Sequence, residues 1–330
     1  MVQTTGLRCL GMAVGLIAMS ITASACNIPV FRYALERWAP DDCQVLVIHD
    51  SPISEDQRQW IDRLTGPIGD DQSKCNVDVQ TVDITQSQPA ELVAIGRKAA
   101  TGDAALPLVV VRTKLSRGRW TQQIAGSLNE QLCEQLVASP IRTELRRRLM
   151  AGDSVVWLMI PGTNETLNRE SRERLERSLE SLPEQLELPD GVGLPGSELY
   201  SDLPLLLRFS VLEMGDDGVA DPYLEKLLIG FQQEAFDEGQ PLFIPVFGRG
   251  RALEVLPGEM VQEHLIENIS RFLCSACSCL VKERNPGFDL MIAAQWENDL
   301  FGGIENSPPD RSREEGKNRP PVLLEIPSGR

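Results

Sequence analysis

The chain has 330 residues, 42% of them apolar and 24% charged, which is an ordinary globular composition. Its length exceeds one average domain and fits two of about 100–150 residues each. A formal charge of −16 excludes the surface as a whole from contact with nucleic acid or anionic membranes, while leaving room for a small basic site.

Cys9 to Ile21 is a 13-residue stretch of apolar and small residues behind an amino end carrying Arg8, and it runs into Ala23-Ser24-Ala25-Cys26. This pattern predicts a secretory signal peptide over residues 1–25, too short to persist as a membrane-spanning helix. Ala23-Ser24-Ala25-Cys26 also resembles the lipobox of bacterial lipoproteins. That resemblance implies a lipid on the Cys26 thiol and contact with the membrane through that lipid alone. Asn27 to Trp38 then reads as one amphipathic helix, with Pro29 in its first turn. Phe31, Leu35 and Trp38 share one side, with Glu36 and Arg37 on the other.

Val45-Leu46-Val47-Ile48 is the continuous apolar run of a buried parallel strand, and it ends at His49-Asp50-Ser51-Pro52. Ser54 and Gln57 form a capping box for a helix to about Leu64. Val77 to Ile84 is a second strand, Pro89 to Lys98 a second helix and Leu108 to Val111 a third strand that opens a hairpin. Asn129 to Leu136 closes the unit as a helix, so residues 26–150 read βαβαββα. This order, with Pro107 just before the third strand, resembles the thioredoxin-like fold, in which the matching proline is cis. Active thioredoxins carry Cys-x-x-Cys after the first strand, where this chain has Ser51-Pro52-Ile53-Ser54 and no thiolate to attack a disulfide.

The pattern repeats over residues 151–300. Charged Glu144 and Arg146 to Arg148 lead through Gly152 into a buried-strand run at Val155 to Ile160. Arg169 to Leu186 follows as a charged helix with Leu175, Leu179, Leu182 and Leu186 on one face. Leu205 to Leu212 is the next strand, Tyr223 to Gly230 a short helix, residues 241–258 a hairpin and Glu259 to Leu273 the closing helix. The loop after the first strand is Pro161-Gly162-Thr163-Asn164, again without cysteine. The two hairpins echo one another: Arg117-Gly118-Arg119 and Arg249-Gly250-Arg251 turn them, and Gly126 and Gly258 each lie seven residues beyond. The expected architecture is therefore α/β, two tandem thioredoxin-like units. An extra C-terminal hairpin turns at Asn285-Pro286-Gly287 and returns along Phe288 to Trp296, and a disordered tail over 301–330 follows.

Cys26-Asn27-Ile28-Pro29-Val30-Phe31-Arg32-Tyr33, with Val246 to Leu253 and Lys282 to Gly287, resembles a family of exported bacterial proteins of unassigned activity. The resemblance covers residue 26 to about residue 297 and implies export and a single architecture, without catalytic residues.

Chemistry is sought first at the cysteines. Cys43 and Cys75 each precede a strand of the first sheet and are expected to pair in an oxidising compartment. Cys274, Cys277 and Cys279 combine a redox spacing with three close thiols that could hold zinc if a ligand such as His264 joined them. Structural disulfides or buried thiols are the plainer alternative. His49-Asp50 ends a strand where open α/β sheets place ligands, and could act as a base or as hydrogen-bonded structure. Arg117, Arg119, Arg249 and Arg251 are either soluble flanks of glycine turns or basic tips that grip a carboxylate-rich partner. No motif implies a cofactor. The expectation is an exported, non-catalytic binding or scaffolding protein of the cell envelope, periplasmic or lipid-anchored, with a protein partner. A thiol-disulfide or metal-handling protein centred on Cys274, Cys277 and Cys279 is the alternative.

Overall fold

The computed structural model describes residues 27–86, 89–100, 105–215, 221–277 and 281–308. The signal-peptide segment, Cys26 and Cys279 lie outside them. The run around Val45 forms β1 (Cys43–His49), which pairs in parallel with β3 (Val77–Asp83) and antiparallel with β4 (Leu108–Lys114). β4 pairs in turn with β5 (Trp120–Ser127), giving a four-stranded sheet ordered β3-β1-β4-β5. Between these strands lie α2 (Glu55–Thr65), whose capping box on Ser54 and Gln57 is formed, and α3 (Ala90–Ala100). α4 (Glu130–Val137) follows β5. The Leu106–Pro107 bond is cis, the one such bond among the described residues.

The second sheet repeats the order. β6 (Val155–Ile160) lies parallel to β7 (Phe209–Glu213) and antiparallel to β8 (Leu242–Phe247), which pairs with β9 (Arg251–Ala252) and β10 (Leu256–Pro257). α6 (Glu165–Gln185), α7 (Pro222–Ile229), α8 (Gln233–Asp237) and α9 (Glu263–Cys274) connect and close it. Within each unit the strands thus stand second, first, third, fourth, and the protein is of the mixed α/β class.

Alternation along β1 explains the layering, because successive side chains point to opposite faces. Val45 and Val47, with Val109 and Val111, enter the same core as Val156, Leu158 and Ile160 of the second sheet. Leu46 and Ile48 face the smaller core that includes Ile95 of α3. One core therefore runs continuously across position 150. It is bridged by α5 (Pro140–Met150), which occupies the charged stretch expected to be only a boundary. Leu145 and Leu149 supply its buried face, while Glu144 binds Arg147 and Arg148 outside.

Three expectations about the ends are corrected. α1 (Val30–Arg37) is buried all round from Val30 to Glu36, so it has no solvated Glu36 side. Its charges are internally matched: Glu36 holds Arg32 and Arg37 and accepts from the Tyr200 and Ser201 amides. The C-terminal hairpin is replaced by β11 (Phe288–Asp289), paired with β9, and β12 (Ala293–Ala294), paired with β2 (Lys74–Cys75). This segment binds the second unit through β9, and the first through β2 and the Asn76 side chain, which donates to the Leu290 carbonyl and accepts from the Ile292 amide. Finally, α10 (Trp296–Phe301) follows that segment, and a 3₁₀ turn at Ile304–Asn306 occupies the start of the expected tail, whose remainder from residue 309 lies outside the described residues. Among the described residues no helix is long and apolar enough to cross a membrane.

Candidate functional site

The end of β1 opens on a cleft of about 500 Å³ lined by His49, Pro52, Ile53, Arg58, Ile61 and Thr81. His49 is 9% exposed, and its Nδ1 lies 2.9 Å from the Ser51 carbonyl oxygen, so the tautomer protonated there donates a local bond. Asp50 is exposed and does not line the cleft. Asp83 stands opposite His49 in the register of the neighbouring strand, and its carboxyl is held below the usual range mainly by the Thr85 hydroxyl and amide. Ser54 Oγ is committed to the α2 cap, accepting from Gln57 N–H. With Asp62 also in the lining, the cleft offers a hydrogen-bonded imidazole, a guanidinium and a carboxylate, the groups of a small polar binding site.

The matching loop of the second unit is sealed. Asn164 Oδ1 accepts from the Thr166 and Leu167 amides to cap α6, and the Asn168 amide clamps Gly162 through both backbone groups. A methyl on Gly162 would lie 2.3 Å from the Gly239 carbonyl oxygen, so only glycine allows this approach.

Cys43 and Cys75 are both thiols, so the expected bridge is not formed. Val77 stands opposite Cys43 in the register, while Cys75 belongs to β2, which leaves the sheet to pair with β12. Cys75 Sγ donates to the Val137 carbonyl at 3.3 Å. Cys274 and Cys277 are 2% and 3% exposed, which leaves little access for an exchange partner. Burial pushes the Cys43 and Cys274 thiols up to about 12. Among the described residues no group of three His, Cys, Asp or Glu side chains could hold a metal ion, and Cys279 lies outside that set.

The raised thiols make stability fall in alkali. The unfolded chain releases these protons from about pH 9 and the folded chain only near pH 12, so their contribution is complete below pH 9 and lost as pH rises. Each thiol is expected to remove about 1.4 kcal/mol by about pH 10. Urea unfolding at pH 8 and pH 10 checks this: the loss should shrink in Cys43→Ala and again in Cys43→Ala/Cys274→Ala.

The two Arg-Gly-Arg turns have opposite fates. Arg117 and Arg119 are exposed and make no ion pair among the described residues; Arg117 adopts φ +63°, which tightens the turn. Arg249 and Arg251 are 7% and 4% exposed, and their assignment as partner-binding tips is corrected. Arg249 caps the end of α1 through the Leu35 and Glu36 carbonyls and reaches Glu297 at 2.6 Å. Arg251 is enclosed by Asp289 and by the Asn285, Pro286 and Gly287 carbonyls.

A second concavity was not legible in the sequence. A groove of about 400 Å³ lies between the sheet of the first unit and α7 of the second, lined by Ile95, Val110, Ile124, Leu227 and Phe231 with Lys226 among them. Gln123 Nε2 donates to the Tyr223 carbonyl at 3.4 Å, and Lys226 Nζ to the Ile124 carbonyl at 3.0 Å, fixing the two walls. Ile124, 37% exposed on the outermost strand, is its one local signal. No protein-family model matches the chain, and no curated protein matches it significantly.

Proposed function

We propose that this chain is a non-catalytic binding or scaffolding protein of the bacterial cell envelope, built from two thioredoxin-like units and exported by its leader. The repeated second-first-third-fourth strand order supports the tandem reading. The observation that carries the binding role is the inter-unit groove continued by a basic tip. Arg119 immediately precedes β5, and Ile124 of the same strand lines the groove, about 17 Å further along. An apolar segment with carboxylates at one end fits this arrangement, since a protein of formal charge −16 keeps there two arginines without an ion pair among the described residues.

The test uses a fluorescein-labelled peptide of Val and Thr that ends in three consecutive Glu. Saturable anisotropy is expected, weakened at least tenfold in Arg117→Glu/Arg119→Glu without a change in melting temperature, because surface substitutions cost within about 0.5 kcal/mol. Equal affinity in the variant would remove the basic tip from the site. In parallel, insulin reduction should show no turnover. Activity abolished by Cys277→Ala would establish the thiol-exchange alternative instead.

A further inference from the structure

The chain leaves almost no slack after Cys26. Asn27 N–H donates to Ser197 Oγ at 2.9 Å, and Ile28 is 1% exposed, its carbonyl accepting from the Cys277 amide. Pro29 bridges to Ala276, and Val30 N–H donates to the Ser275 carbonyl at 3.1 Å. A single residue therefore separates Cys26 from fixed backbone, and consecutive Cα atoms are only about 3.8 Å apart.

Beside that exit stands a turn closed on itself. Gly193 N–H donates to the Ser197 carbonyl, Ser197 N–H to the Leu194 carbonyl and Leu194 N–H to the Gly191 carbonyl. It holds out Leu194, 61% exposed, the highest value among the large apolar side chains of the described residues. A methyl on Gly191 would lie 3.1 Å from Asn27 Nδ2 and 3.7 Å from Leu194 Cδ1, so those two side chains sit over the same backbone. Phe272, 38% exposed, occupies the last turn of α9, and its carbonyl accepts from Ser275 Oγ. Ser275 is itself a partner of the amino-terminal segment.

We infer that this edge, with Leu194 and Phe272, is the face the protein lays against a lipid surface. The inference rests on the lipid-anchored reading. A lipid on Cys26 tethers the folded body within a residue of its own surface, and that surface carries exposed apolar side chains. The partner is the interfacial layer of the bilayer, entered by apolar contact. A formal charge of −16 disfavours attraction of the whole body to anionic headgroups.

The test reconstitutes the full chain, made with its leader in a bacterial host, into phosphatidylethanolamine vesicles containing brominated phosphatidylcholine. Leu194→Trp and Phe272→Trp each add one indole to the five present. Leu167→Trp is the control, because α6 separates Leu167 from its own C-terminal end by about 27 Å. The added fluorescence is expected to fall by half or more for Leu194→Trp or Phe272→Trp and to persist for Leu167→Trp. Palmitate incorporation with no quenching, or with equal quenching at all three positions, overturns the orientation while leaving the anchor. Failure to incorporate palmitate overturns the anchor, and the orientation with it.

Discussion

Replacing Arg142 by alanine is expected to lower the unfolding free energy by about 3–5 kcal/mol, because it strands a buried carboxylate. Arg142 is 2% exposed and Asp221 3%. The guanidinium Nε meets Asp221 Oδ2 at 2.6 Å, Nη1 donates to the Met291 carbonyl, and Nη2 donates to the Gln135 and Leu136 carbonyls. These partners belong to the first unit, the N-cap of α7 and the C-terminal segment, so one side chain joins all three. Asp221 Oδ1 meanwhile accepts from Leu224 N–H at 2.9 Å, and the substitution would leave that cap in place beside an unpaired charge. Urea unfolding measures the loss. Asp221→Asn keeps an oxygen for the cap and removes the charge, so Arg142→Met/Asp221→Asn should be less unstable than the sum of its singles, by about 0.5–3 kcal/mol. Additive effects would show that the pair does not couple the units.

That hub explains where sequence reasoning stopped. The order of elements along the chain was legible because buried runs such as Val45–Ile48 and Val155–Ile160 and the Ser54 capping box are local signals. α5 was equally signalled: Ser139 Oγ accepts from Arg142 N–H and Pro140 occupies the first turn, but the dense charge beyond has the composition of a boundary. α10 likewise ends on Gly302 at φ +72°, a left-handed cap that glycine supplies. The groove and the buried arginines were illegible for a different reason. Gln123 and Tyr223 lie 100 residues apart, and Arg251 and Asp289 lie 38 apart, so no window of sequence contains both partners. Likewise, Glu36 read as solvent-facing because the amides that hold it belong to Tyr200 and Ser201.

The twin turns offer the sharpest separation of motif from environment. Arg251→Ala is expected to cost about 3–5 kcal/mol, and Arg119→Ala to stay within about 0.5 kcal/mol, although both residues close an Arg-Gly-Arg turn. Arg251 Nη1 reaches Asp289 Oδ1 at 3.0 Å, and its other donors hold three successive carbonyls of Asn285, Pro286 and Gly287. Asp289 also accepts from the Asp41 amide and binds Lys282, so the loss of Arg251 leaves a buried carboxylate with only part of its partners. Arg251→Lys should recover little, because a single ammonium cannot reproduce a planar fork of donors to four groups. Arg119→Lys should be silent. Denaturation of the four variants under one set of conditions tests the difference. If Arg251→Lys matched the parent chain, the guanidinium geometry would be irrelevant and the turn would be held by glycine alone. If the losses at Arg251 and Arg119 were alike, burial of the second turn would not govern its energetics.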